Sequence, residues 1–452
     1  MKKGEVTAFL SLIFILLLSV VASVVGSASM QVLKNRKRGD MDRALESVFA
    51  EYQKDMLEEF EIFSLEGTYG TGEFSEDNLT ERLEFYGMRD ADQTIRKIQF
   101  LTDDSGRPFR EQVIAYMKHR MGIAQMEELA GLTGEWKNQT GKTEQYEKEE
   151  SDVETNLEES LQDAEQSLPE QDNPIGNIDS IKRAGLVNIV MRGKEVSDKS
   201  VTTKELLTHR SLQKGRGEFK VKDDTTDMTS NLYFSSYLIE KFHAADKLSD
   251  DGKLSYELEY IINGEESDRK NLEAVLRKLA GIRLAANYGY LLTDAGKKAE
   301  AEAMALTLAG IVALPALTGL IKQAILLAWA FGESIMDLRT LLGGGRIPLT
   351  KSKEEWQLSL TGLLKLGTAD DPGTGRDSEH GLSYKEYLRM LLVFEKQEHC
   401  TMRGLGVMEM RMQKKLGDFF KADHCISKVE VTTKCNLRRG IYYEFSTQYG
   451  YQ

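Results

Sequence analysis

Glu333 and Asp337 stand four residues apart in the stretch WAFGESIMDLRTLL, so a helix there carries two carboxylates on one face, with Trp329 and Arg339 nearby. Paired carboxylates can share acid and base work. A helix that follows an apolar run also commonly ends on a polar face whose groups pair with neighbours, and that reading is preferred. EHC and DHC bring His399, Cys400, His424 and Cys425 near the C-terminus, with Cys435 ten residues further on. Zinc favours ligands two to four positions apart, whereas adjacent side chains diverge, so no metal site is assigned. Cys425 and Cys435 are a candidate disulfide for an oxidising exterior. TGKT at 140–143 resembles the end of a phosphate-binding loop, but the required glycine is replaced by Trp136. No nucleophile elbow, His-Glu-x-x-His or Gly-x-Gly-x-x-Gly pattern is present, and the six histidines are scattered. No catalytic, cofactor-binding or metal-ligating residues are therefore expected. The chain is expected not to be an enzyme and to take no small-molecule ligand.

The chemistry that is legible concerns location. Val6–Leu33 runs for 28 residues without a charge, and about 20 apolar residues cross a bilayer as a helix. Fourteen of the twenty residues Val6–Val25 are Val, Ile, Leu or Phe, among them Phe9, Leu10, Leu16 and Leu17. The run exceeds the h-region of a secretory signal, about 7–15 residues, which favours a retained anchor over a signal cut after Ser29. Lys2 and Lys3 precede the span, and Lys34, Arg36, Lys37 and Arg38 follow it. A short basic tail before a large downstream domain reads as N-terminus inside and C-terminal domain outside, a single-pass protein of the cell membrane.

Beyond the span, Met41, Leu45, Val48, Tyr52, Met56, Phe60 and Phe63 recur at steps of three or four, one stripe of an amphipathic stem helix. Five regions follow from the patterning: an anchor (1–33), a stem helix (34–66), a small α+β region (67–138), an acidic linker (139–175) and a helix-rich α+β domain (176–452). Lys142–Asp172 holds twelve acids and two bases, which accounts for −10 of the net charge of −13 and leaves the remainder near neutral. Without a basic footprint, nucleic acid is not an expected partner. Within these regions Thr94–Leu101 alternates as a strand, 229–242 reads as a helix, and 253–264 alternates as a strand ended by Asn-Gly. Ser267 or Asp268 caps a helix that follows, and 426–452 reads as a β-hairpin. Ala303–Ile321 is uncharged, but Pro315, two glycines and two threonines favour a buried helical hairpin over a second span. The fold class expected is α+β and predominantly helical, with a long N-terminal transmembrane and stem helix ahead of a globular region with a small antiparallel sheet.

Several stretches together carry a resemblance: KGEVTAFLSLIFILLLSVVASVVGSASM, ALESVFAEYQKDMLEEFEIFSLEG, LSYELEYIINGEESDRKNLEAVLRKLAGIRLAANYGYLL and LAWAFGESIMDLRTLLGGGRIPLTKSKEEW. The chain resembles a family of uncharacterised, single-anchor proteins of Gram-positive, mostly anaerobic bacteria associated with tight-adherence (Tad) type pilus and secretion loci, with a TadE-like N-terminus. The resemblance implies a membrane-anchored, pseudopilin-like structural or accessory component, whose partners are the lipid bilayer and other pilus or secretion subunits. Gly4 and Glu5 then form the candidate processing site. The type IV pilin pattern asks for glutamate five residues into the mature chain, where this sequence has Phe9. The alternative function is an anchored surface binding module or adhesin.

Overall fold

The computed structural model describes residues 3–202, 204, 206–220, 226–249, 252–437 and 440–451. Lys2 of the basic N-terminal pair lies outside them. The fold is α+β and mostly helical, and it divides into two compact units. The first takes Met1–Gln112, Ser211–Asp223 and Met412–Gln452; the second takes Val113–Arg210 and Asp224–Arg411. A division into consecutive regions is thereby corrected: residues from both ends of the chain share one unit.

In the first unit, α1 (Lys3–Phe49) is a single helix of 47 residues, roughly 70 Å long at about 1.5 Å per residue. The stem was expected to stay helical to residue 66, but α1 stops at Phe49 and α2 (Lys54–Phe60) is separate. The turn between them is held by the Gln53 N–H donating to the Ser64 carbonyl at 2.8 Å. Met56 and Phe60 keep the spacing of the stripe and are buried from the second helix. Periodicity reports the face a residue needs, not the continuity of the axis. Then come β1 (Leu65–Glu66), α3 (Glu76–Leu83), β2 (Ala91–Phe100) and α4 (Asp103–Arg120), whose residues fall in both units.

The expected C-terminal hairpin forms as β3 (Cys425–Leu437) and β4 (Ile441–Gly450). β3 is the centre of a four-stranded antiparallel sheet. Its Thr432 pairs with Thr94 of β2 on one side and Ser446 of β4 on the other. Ile426 pairs with Phe100 of β2 and with Leu65, which puts β1 on the β4 side. Inward residues Val429, Val431, Cys435 and Leu437 alternate with more exposed neighbours along β3, the period of two that made this element readable. Against this face pack Met41, Ala44, Leu45, Val48 and Phe49 of α1.

The second unit is helical: α5 (Ile123–Asp163), α6 (Pro174–Ala184), α7 (Leu186–Val190), α8 (Met228–Lys241), α9 (Glu257–Asn263) and α10 (Asp268–Leu291) come first. They are followed by α11 (Ala295–Ile311), α12 (Thr318–Leu342), α13 (Leu360–Lys365), α14 (Tyr384–Phe394) and the first part of α15 (Gln397–Leu416). α10 opens on the Ser267 cap and packs along α12, the central pair of the unit.

Two sequence expectations fail here. The acidic linker is instead largely α5, from which Trp136, Gln139, Val153 and Leu157 are buried. Its acids have partners: Glu149 accepts from Tyr288 Oη at 2.8 Å and Gln323 Nε2 at 2.6 Å, and Lys182 binds Glu150 and Glu154. Acid density mimicked a solvated linker because the neutralising groups lie far off in sequence. The 253–264 strand is instead the helix α9, in which every residue from Leu258 to Ile262 is buried, so the two-residue alternation marked no inside or outside. The Asn-Gly ends a helix, with Gly264 in the left-handed conformation at φ 77°. The Ala303–Ile321 stretch breaks between α11 and α12 at Ala313 (φ 56°) and Pro315, so the expected hairpin forms, but it is not buried as expected: Leu306 and Ile311 are 58% and 62% exposed and none of Pro315–Leu317 is buried.

Candidate functional site

The feature with the plainest functional chemistry is the free part of α1. Helices are held together by burying an apolar stripe, yet here the whole surface is apolar and none of it is covered. The candidate span in Gly4–Phe49 has mean hydropathy 2.9 and is 0% buried. Val6, Phe9, Leu10, Leu16, Leu17 and Val25 all face outward, the two leucines 59% and 56% exposed. Gly4 and Glu5 lie on the first turn of the same helix, and both are exposed. A single N-terminal apolar helix of this length is what a single-pass anchor requires.

The basic flank is built into the fold. Lys34 Nζ sits 5.0 Å from the Tyr443 ring centroid, and the Arg38 guanidinium lies 5.7 Å from Tyr443 and 5.8 Å from Phe445. Cation–aromatic contacts of this kind hold charges that would otherwise hang free beside a membrane span. Tyr449 and Tyr451 of the same tail pack on Phe49, each at 5.0 Å, while Tyr442 is 82% exposed.

Cys425 and Cys435 do not bridge. They stand at opposite parts of the single strand β3, ten residues apart, or about 33 Å at roughly 3.3 Å per residue, and a disulfide needs Cα atoms within about 7 Å. Neither forms a disulfide, nor does Cys400, and all three are buried. Among the described residues no three metal-ligating side chains converge. TGKT lies inside α5, with its amides engaged in the helix rather than cradling a phosphate.

Glu333 and Asp337 do share a face of α12, and the structure adds partners that spacing could not supply. Lys351 Nζ lies 2.7 Å from both Glu333 Oε1 and Asp337 Oδ1. Arg283 of α10 donates from Nε to Asp337 Oδ2 at 3.0 Å and from Nη1 to the Pro348 carbonyl at 2.7 Å. Asn287 Nδ2 donates to Asp337 at 3.1 Å, and the Gln357 and Leu358 amides donate to Glu333 at 3.0 and 2.7 Å. Burial pushes the Glu333 carboxyl above its ordinary value against the pull of Lys351. Burial opposes charge on Asp337 as well, but Arg283 and Lys351 outweigh it and hold that carboxyl low. Two carboxylates face two cations at 0–1% exposure, so the cluster clamps α10, α12 and the 348–358 segment together.

Arg339 turns away from the pair, taking Asp371 at 2.9 Å and the Ile189 carbonyl at 2.9 Å. Trp329 Nε1 donates to the Leu358 carbonyl at 2.8 Å. A second buried carboxyl lies on α9. Glu259 Oε1 accepts from the Ala245 N–H and Tyr384 Oη, both at 2.8 Å, and burial pushes its pKa up to about 7. The signal that marks Arg283 in the sequence is a lone charge inside an otherwise apolar and aromatic run.

Residues 164–437, more than half of the chain, match the family of unknown function DUF5702. The chain belongs to that family. No curated protein and no solved structure matches it. The DUF5702 stretch contains Arg283, Asn287, Glu333, Asp337 and Lys351, so the whole clamp lies within it. The free part of α1 lies outside it.

Proposed function

We propose that this protein is a membrane-anchored extracytoplasmic component of a Tad-type pilus or related secretion machine, built on a pseudopilin-like plan. The observation that carries the reading is the division of α1: one continuous helix is bare and apolar over its first part and is packed into a sheet core from Met41 on. Such a subunit inserts by the bare part and is displayed by the packed part. The bound flank supports the outward orientation, because Lys34 and Arg38 are engaged by Tyr443 and Phe445 and lose part of their weight as a cytoplasmic retention signal.

The test is made on the full chain purified from membranes. Mass measurement separates an intact Met1, a cut after Gly4 and a cut after Ser29. An intact N-terminus or a cut after Gly4, with co-purification of secretion ATPase and platform proteins, is expected. Release into the medium after a cut near Ser29 overturns the reading. An anchored chain that binds glycan or host matrix but none of those subunits favours the adhesin alternative.

A further inference from the structure

The α11–α12 hairpin of the second unit ends in an apolar tip that lies exposed. No charge occurs over the nineteen residues Ala303–Ile321. One face of α11 is used inside the unit, where Ala301, Ala305, Leu308 and Ala309 are buried. The opposite face of such a helix turns polar where it meets water, and over its first two turns it does, with Lys298, Glu300 and Glu302. From Ala303 on it is apolar instead. Leu306 and Ile311 are 58% and 62% exposed, and Ala303, Ala313, Pro315 and Ala316 are exposed with them.

The turn itself is made for apolar surroundings. It reads VALPAL (312–317), whereas surface turns draw on Gly, Asn, Asp and Ser. Its backbone is closed from within: the Leu314 N–H donates to the Ala309 carbonyl at 2.9 Å and the Ala313 N–H to the Gly310 carbonyl at 3.2 Å. That pattern sets one residue left-handed, a place normally given to Gly or Asn, yet Ala313 takes it at φ 56°. Only two side chains of the stretch carry an O–H, and both spend it on their own backbone. Thr307 Oγ1 donates to the Ala303 carbonyl at 3.0 Å, and Thr318 Oγ1 to the Pro315 carbonyl at 2.8 Å. Hydrocarbon requires the chain to satisfy its own polar groups, and water makes no such demand.

A protein partner is held by roughly one hydrogen bond per 100–200 Å² of interface and by a polar rim. The tip has no side-chain O–H left to give and, being a turn, offers no groove. The charges nearest it, Glu302 and Lys322, pair with each other at 2.9 Å across the base of the hairpin, which leaves it electrically neutral. We propose that this tip dips into one leaflet of a lipid bilayer, with the Glu302–Lys322 pair at the level of the headgroups. From Ala303 to Ile311 the helix advances about 13 Å at roughly 1.5 Å per residue, less than half of a hydrocarbon core about 30 Å thick, so the hairpin enters and does not cross. The contact is separate from any insertion of α1 and requires no pilus or secretion partner.

The experiment uses the full chain in phosphatidylcholine nanodiscs, carrying an environment-sensitive NBD fluorophore at Leu306→Cys, at Ile311→Cys or, as a control on the same helix, at Glu300→Cys. The three native cysteines are buried, and the unsubstituted chain treated alike is the blank. The labels at 306 and 311 should shift to the blue and be quenched at least twofold by nitroxide lipids, more by a nitroxide near the headgroup than by one near the end of the acyl chain. The label at 300 should do neither, and phosphatidylserine in the discs should change none of this. Labels that stay in water, or that shift to the blue without nitroxide quenching, as beneath a second copy or another protein, overturn the proposal. Quenching strongest at the bilayer centre overturns it as well, in favour of a full span. Should a substitution disturb the fold, photo-crosslinking of the unsubstituted chain to a diazirine phospholipid decides: adducts are expected within residues 306–320, and their absence there refutes the contact. A label at Leu17→Cys reads α1 in the same discs, so failure of the anchor and failure of the tip are told apart.

Discussion

The bare part of α1 and the middle of α12 invert the usual arrangement in opposite senses. On α1, Leu16 and Leu17 face outward with nothing over them; on α12, Glu333 and Asp337 are fully buried. An uncovered apolar helix of this length is compatible with a single-pass membrane anchor, so the first inversion bears on what surrounds the chain. A buried charge is stable only when matched by an opposite one, so the second describes an internal constraint. The same rule of burial therefore bears on surroundings in one region and on a clamp in the other.

The comparison breaks first at the anchor. Replacing Leu16 and Leu17 together by Arg costs roughly 5–8 kcal/mol of membrane insertion, from about 2.5–3.5 for each Arg and 0.3–0.6 for each lost Leu. Fractionation should find the variant out of the membrane with the second unit still folded; normal membrane retention would refute the anchor. Next is the clamp: Asp337→Ala leaves Arg283 and Lys351 less than fully compensated and should destabilise the second unit by about 3–5 kcal/mol in urea unfolding. A change below about 1 kcal/mol would show that the cluster is not a clamp.

A third prediction concerns Glu259, which faces Tyr384 and lies near Asp246. Its folded pKa of about 7 exceeds the model-compound 4.5, so between those values the folded state holds a proton that the unfolded state has lost. Stability should therefore fall as pH rises from about 4.5 to 7 and stay flat above, by about 3 kcal/mol for this group. Glu259→Gln should flatten that slope in urea titrations at successive pH values, and an unchanged slope would refute the assignment. The smallest effect belongs to the flank, where Arg38→Ala should cost the first unit about 0.5–1 kcal/mol through lost contact with Tyr443 and Phe445.

Legibility followed how local each signal was. The long N-terminal apolar helix and the β3–β4 hairpin were readable because an uncharged run and a half-buried strand are complete within their own residues. α9 was not, since a segment buried on both faces has no informative alternation. α5 was misread because Lys182, Tyr288 and Gln323, which satisfy its acids, come from later helices. The Glu333 and Asp337 pair was visible as spacing, whereas Arg283, 54 residues away, was not.

The pairing of β2 with β3 has a consequence for biosynthesis. Some 300 residues separate Gln112 from Met412, and β3 and β4 come after that interval. At about 5–20 residues per second the ribosome needs roughly 15–60 s to cross it. Throughout that time Met41–Phe49 of α1 and strand β2 have been made but lack the sheet that covers them. The nascent chain must therefore keep an open strand edge from pairing wrongly until residues 412–452 emerge.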